Sequence, residues 1–300
     1  MSQRLRRTTT SLMVQFRSAF SILSSLRTKP VSATGAGVIV FFYLLAVVVL
    51  LFGQYVLPFN DRAIDLAHEL APPSLAHPFG TDQLGSDLFR QVVYAIPIDM
   101  FVPLAIVIVA LIVGALIGTI AAFRGGWADE LLMRITDIFR AFPGLVLALA
   151  IAAALGASIA NAMLALMVVW WPAYARIARG EALALNSKDY VKFSKITGVS
   201  QRRIILTHFF PNVTPILIAY ATADIGTVLV LFSVLGYLGL GAQVPVPEWG
   251  RIVFTGQDFI QQAWWYPIFP AVTIFVVVMG FSLLGDGLRD LLDPRLKSTR

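Results

Sequence analysis

The stretch RIARGEALALNSKDYVKFSKITGVSQRRIILTHFFP, residues 176–211, is a polar island between two long apolar runs. It carries seven Lys/Arg against two acidic residues. Upstream of it, residues 141–175 contain no charge, and downstream the chain is apolar to about residue 235 apart from Asp224. As one helix, the 35 uncharged residues would reach ~52 Å, far beyond a hydrocarbon core of about 30 Å. Arg140 and Arg176 flank that run, so both of its ends belong on the same basic side. The run is therefore expected to be a helical hairpin turning near Gly156, Ala157 and Ser158, and the island to be a loop between membrane spans.

Working outward, the whole chain fits that reading. Of its 300 residues 58% are hydrophobic and 13% charged, with a mean hydropathy of +0.78; soluble domains carry about 25% charged residues. The spacing of charge-free runs predicts an all-α polytopic membrane protein with six transmembrane helices, at about 35–57, 92–123, 136–155, 159–177, 212–235 and 264–285. That topology leaves only Arg62, Arg90 and Arg251 outside and the other 20 of the 23 Lys/Arg inside. The positive-inside rule then makes both termini and the loop 178–211 cytoplasmic. Residues 1–34 form a basic tail in which Leu12, Phe16, Phe20, Leu23 and Leu26 keep helical spacing, as an interfacial helix does; residues 35–300 form the membrane domain. The first apolar run is too long for a signal-peptide core, so the tail is expected to be retained. Basic residues lie between spans rather than on one aromatic-interleaved face, which argues against a nucleic-acid partner. With no cysteine, neither disulfides nor thiolate metal sites are available.

Inside the island, Asn186 and Asp189 stand three apart as in a capping box, so a helix is expected to start there and to end at Gly198 as its C′ residue. Tyr190 and Phe193 share one face of it, and Lys188, Lys192 and Lys195 line another. Such aromatics with a polar rim suit either a protein-binding knob or a helix dipping into lipid headgroups. Asp224 is the one ionisable side chain deep in an expected span, which costs at least about 2.5 kcal/mol on insertion scales. It is either a translocation-pathway residue or an inter-helix hydrogen-bond acceptor. Asp99 is expected at the outer interface, and Asp137 is expected to pair with Arg140. Gly114 and Gly118 form a GxxxG pair suited to close packing within the bundle. His68, His77 and His208 show no metal-ligand spacing, and no nucleophile and base share a recognisable context. The chain lacks a P-loop motif and even a Gly-Lys dipeptide, so any nucleotide bound by a P-loop belongs to another polypeptide.

Three motif groups carry a family resemblance. The island is similar to the cytoplasmic loop of ABC importer permeases, with Gly198 and Pro211 at the family spacing and Phe210 at its Leu position. Lys192, Phe193 and Ser194 stand where the family has EAA, and His208 where it has Ile. The segment HPFGTDQLGSDLFRQVVYA (77–95) resembles the GTDxxGRD stretch of dipeptide and oligopeptide permeases through Gly80, Thr81, Asp82, Gly85 and Asp87, with Ser86 in place of Arg. LGYLGLGAQVPVPEWG (235–250) and LLGDGLRDLLDPRLK (283–297) resemble two further stretches of that group, through Gly239, Gly241, Pro247, Glu248 and Trp249 in the first.

The resemblance covers most of residues 35–297 and fits the second permease subunit of dipeptide, oligopeptide and nickel importers. It implies a type I ABC importer permease fold, with the loop helix (Asn186, Asp189, Tyr190, Lys192, Phe193, Lys195, Gly198, Pro211) coupling to an ATP-hydrolysing subunit. It also implies the partners: a second homologous permease, two P-loop ATPase subunits that hold ATP and magnesium, and an extracytoplasmic solute-binding protein, with no cofactor in this chain. Pro245, Pro247 and Trp249 would stiffen an external loop that meets the binding protein. The expected function is import of di- or oligopeptides. The alternatives are nickel or oligosaccharide import by the same machinery, or an ion-coupled secondary transporter working through Asp224.

Overall fold

A computed structural model describes residues 30–58 and 64–292. The expected interfacial helix in the N-terminal tail, the end of the C-terminal motif, and the positions of both termini lie outside the described residues. Among those described, the chain is helical, and its only β-type pairing is the single bridge between Thr81 and Asp87. The long helices are α1 (Pro30–Val56), α2 (Leu88–Arg124), α3 (Gly126–Ala141), α4 (Gly144–Leu155) and α5 (Ile159–Asn186). After the island come α8 (Phe210–Tyr237), α9 (Trp249–Gln257) and α10 (Trp265–Leu292); α6 (Asp189–Ile196) and the single turn α7 (Gln201–Ile204) lie within it.

Four helices are long and apolar enough to cross a membrane, and five if α3 and α4 count as one broken span. Those four are α1, α2, α10 and the continuous run from α7 through α8. The third expected span is not one helix. α3 and α4 meet at a bend of 86°, where Pro143 disfavours helical backbone at Phe142 and that residue is extended (φ −94°, ψ 142°). α4 has 12 residues, only ~18 Å of rise. The hairpin turn does fall at Gly156, at φ +91°, with Ser158 capping α5 by accepting from the Asn161 N–H at 3.1 Å. α5 then runs on to Asn186, nine residues past the expected end of the fourth span at Ile177. Arg179 and Glu181 ride on this extension, and Arg176 lies just before it.

The core is built on α2, which packs on α5 along its length. At Gly114 an added Cβ would lie 2.5 Å from the Trp171 carbonyl oxygen, and at Gly118 2.1 Å from that of Ala175. The GxxxG pair therefore works within this one bundle, letting two backbones touch. α8 packs between α2 and α10, and α1 lies against α10 with Gly35 and Gly280 at the crossing. Many apolar residues on the outer faces of α1, α2 and α10 stay exposed, among them Phe41, Leu44, Leu51, Ile112, Leu116 and Phe275, as lipid-facing surfaces require.

Candidate functional site

At the basic end of the bundle, α6 stands off from the spans on a small apolar anchor. Val191 is fully buried with Ala122, Ala182, Ile204 and Phe209, and Phe123 and Val199 close over them. One residue per two turns is thus buried while its neighbours face out. Phe193 is 67% exposed, Ile196 82% and Tyr190 46%. The C-terminus is fastened by a Schellman motif. Gly198 at φ +74° gives its N–H to the Lys195 carbonyl at 3.2 Å, and Val199 gives its own to Ser194 at 3.1 Å. The glycine predicted to end this helix does so.

The start of the helix differs from the expectation. Asn186 is the last residue of α5, not a cap of α6; its amide donates to the Ala122 carbonyl at 3.3 Å and accepts from Lys195 Nζ at 2.7 Å. Lys188 is the N-cap residue and provides no side-chain hydrogen bond. The capping-box pattern is local, and here the competing tertiary partner, the end of α2, takes the Asn side chain. Lys195 likewise leaves the solvated lysine face and lies 4.9 Å over the Phe123 ring. Lys192 stays exposed, 3.8 Å from Asp189.

Beyond α7 the chain makes one π-helical turn, Ile205–Phe209, before α8. His208 lies in it and meets the Tyr190 ring at 5.5 Å between centroids, so the exposed face of α6 is in contact with the root of α8. Pro211 is the second residue of α8, directly after the π turn and inside the continuous run from Gln201 to Tyr237. The same end of the bundle is cross-braced between α3 and α5. Arg179 donates from Nε and Nη2 to the two Asp129 oxygens at 2.6 Å each, and Arg176 pairs with Asp137. The expected Asp137 to Arg140 pair is replaced by this tertiary one, since α5 brings a guanidinium to α3 from 39 residues away. Asp137, Arg176, Arg179, Met133 and Gly180 line a cleft of about 380 Å³.

Midway along the bundle Asp224 is only partly buried. It accepts from Tyr174 Oη at 2.9 Å and Trp170 Nε1 at 3.2 Å, tying α8 to α5. Of its two sequence readings, the structure displays the inter-helix hydrogen bond.

The opposite end holds the remaining motif residues, and they are structural. Thr81 is buried, donating to the His68 carbonyl and accepting from the Ala71 N–H. Asp82 accepts from the Leu84 and Ser86 N–H groups at 2.8 Å and from Gln91 Nε2 at 2.6 Å. Burial raises its carboxyl above the usual range against the pull of these donors. Gly80 and Gly85 supply φ of +73° and +77°, and a Cβ at Gly85 would strike the Asp65 carbonyl oxygen at 1.9 Å. Asp87 caps α2 through the Arg90 N–H and receives His77 at 2.9 Å. His68, held by Asp65 at 2.7 Å, stands 5.8 Å from His77 between ring centroids. Sequence separation hid that histidine contact. Among the described residues no group of three or more His, Asp or Glu is arranged to hold a metal.

Glu248 and Trp249 are fully buried and anchor the 235–250 loop to the bundle. Glu248 caps α9 by accepting from the Gly250 and Arg251 N–H groups, and the Trp249 indole donates to the Val92 carbonyl at 2.9 Å. Gly236 and Gly241 make room: a Cβ on Gly236 would lie 1.9 Å from Glu248 Oε2. Gly239 turns the chain at φ +79°. What this loop exposes is Val244, Val246 and Leu238. Asp99, expected at the interface, is 1% exposed.

Comparison with known proteins agrees with these features. Residues 110–298 match the family described as binding-protein-dependent transport system inner membrane component. A probable D,D-dipeptide transport system permease protein of Escherichia coli K12 is 42% identical over 270 residues, covering 90% of this chain and 89% of that relative. A dipeptide transport system permease protein of Alkalihalophilus pseudofirmus is 42% identical over 77% of this chain and 76% of its own length. A glutathione transport system permease protein of Pectobacterium atrosepticum is 36% identical over 86% of each. Among solved structures, an inward-facing form of the MetNI methionine ABC transporter superposes with a TM-score of 0.56 over 68% of this chain and 96% of that one, at 17% identity, a likeness of fold. The chain belongs to the binding-protein-dependent transport system inner membrane components, as a multi-pass permease protein of the cell membrane.

Proposed function

We propose that this chain forms one half of the pore of an ATP-driven importer of di- or oligopeptides. In this reading the pore has a second, homologous permease as its other half and two ATPase subunits on the cytoplasmic side. An extracytoplasmic binding protein delivers the solute. In the same reading the chain crosses the membrane six times, with α3 and α4 as one broken crossing and α5 as another. The positive-inside rule would put both termini and α6 in the cytoplasm. The observation that carries the proposal is the pedestal of α6. A buried Val191 and a glycine-closed C-terminus hold Tyr190, Phe193 and Ile196 outward. Exposed aromatics on a braced helix suit a groove on a partner protein. The Tyr190 to His208 contact gives movement of that partner a path into α8. Peptides are the solute class because the relatives matched over most of their length are named for dipeptide and glutathione transport. ATP closing the ATPase pair would draw α6 with it and open the bundle outward; hydrolysis would return it.

The test is Tyr190→Asp with Phe193→Asp in the assembled complex, measuring uptake of a labelled dipeptide and co-purification of the ATPase subunits. Loss of uptake together with loss of the ATPases is expected. Full uptake by an intact complex would remove α6 from the coupling path.

A further inference from the structure

Asp99 and Glu248 form a buried carboxyl pair that the transport reading does not use. Asp99 lies on α2, and Glu248 begins α9; they are 1% and 0% exposed. Both Glu248 oxygens are already served by backbone, Oε1 by the Gly250 N–H at 2.7 Å and Oε2 by the Arg251 N–H at 3.0 Å. Asp99 Oδ2 accepts from the Trp249 N–H at 3.1 Å, while Oδ1 meets no donor. Because Trp249 directly follows Glu248, that bond sets the Asp99 carboxyl beside the Glu248 carboxyl, and each acts on the other.

The surroundings are otherwise uncharged. From α9 the one cation is Arg251, whose guanidinium is turned to the Ala242 carbonyl at 2.7 Å. From α8 come Gly236 and Ser233, and from α1 the Phe42 ring, which packs on Trp249. Two touching carboxylates cannot both stay ionised in such a place. An oxygen with no donor is also left desolvated without compensation. One proton resolves both faults. Placed on Asp99 Oδ1, it turns the orphan acceptor into a donor toward Glu248, whose charge the Gly250 and Arg251 N–H groups hold.

We propose that Asp99 and Glu248 share a single proton, carried on Asp99, and that this proton fastens α9 and the 235–250 loop to α2. The pair is a pH-sensitive tie at the outer end of the bundle, whatever solute is carried. Burial pushes the Glu248 carboxyl up to about 7, consistent with a proton retained near neutrality. The sign follows: the folded pair holds a proton that unfolded carboxyls release above their ordinary range, so its stabilisation is present at acid pH and is lost as pH rises from that range toward the raised folded value.

The experiment uses the full complex in lipid. Infrared spectroscopy at neutral pH should show a protonated-carboxyl C=O band that shifts in D₂O and disappears in Asp99→Asn. The Asn amide can donate to Glu248 and accept from Trp249, so this variant should keep wild-type thermal stability at neutral pH. It should also lose the decline in stability expected of the wild type as pH rises above the ordinary carboxyl range. Asp99→Leu, which can neither donate nor accept, should lower the yield of assembled complex about tenfold. A wild type without the band, or a band unchanged in Asp99→Asn, would overturn the shared proton. Equal damage from Asp99→Asn and Asp99→Leu would do so as well.

Discussion

Gly118→Ala adds one methyl group, and the structure says where it must go. The new Cβ would lie 2.1 Å from the Ala175 carbonyl oxygen and 2.8 Å from the Arg179 nitrogen, both backbone atoms of α5. Ordinary contact begins near 3.4 Å, so α2 and α5 must part by about 1.3 Å, the difference between 3.4 and 2.1. No rotamer change can relieve a clash with backbone. Overpacking of this kind costs about 1–3 kcal/mol, and the separation also forfeits dispersion along a crossing that runs the length of α5. The same shift moves the Arg179 backbone, whose side chain holds Asp129 on α3. The expected outcome is a thermal midpoint lowered by several degrees in the detergent-purified complex, with reduced yield. Gly37→Ala, where an added Cβ meets nothing within 4 Å, is the matched control and should behave as wild type. A Gly118→Ala complex as stable as Gly37→Ala would refute the claim that these two backbones are in contact.

Other outcomes follow from the anchor and from the intramembrane acid. Val191→Ala removes two methyl groups from the cluster beneath α6, worth about 1.5–3 kcal/mol with the cavity left behind. Limited proteolysis of the complex should then cut between residues 187 and 200 about tenfold faster, and an unchanged rate would mean that the anchor does not hold the helix. Asp224→Asn can still accept from Tyr174 and Trp170, so ATP-dependent uptake should persist within about twofold and stay insensitive to ionophores. Uptake that collapses with ionophores, or is abolished by this near-isosteric change, would return Asp224 to an ion-coupled mechanism.

What the sequence made legible was whatever depended on local pattern or on counting. The charge-free 35 residues between Arg140 and Arg176 require a turn, and Gly156 is where it comes. Gly198 and the Gly114 and Gly118 pair act as their types suggest, because each is read by its immediate backbone geometry. The errors share one cause, a tertiary partner outcompeting a neighbour in sequence. Asn186 goes to α2 instead of capping, and Asp137 goes to Arg176 instead of Arg140. The 86° bend was readable, since Pro143 stands in the middle of the run, but hydropathy averages over a single residue. The burial of Asp99 against Glu248 was not readable at all: nothing in either segment announces the other.

The π turn at Ile205–Phe209 bears on how this loop is able to diverge. A π turn is an α-helix carrying one surplus residue, and one residue is ~100° of rotation about the axis. The azimuth of the island relative to α8 is thus set by arithmetic along the chain rather than by the chemistry of any side chain. Deleting the surplus residue would let the turn close as α-helix with Ile204 and the anchor of α6 near their present bearing. Deleting a residue from the α-helical part of α8 would instead swing them about a quarter of a revolution about its axis. Exchanging the outward residues would leave the bearing untouched. A surface such as Lys192, Phe193 and Ser194 is therefore free to change its contacts while still pointing the same way.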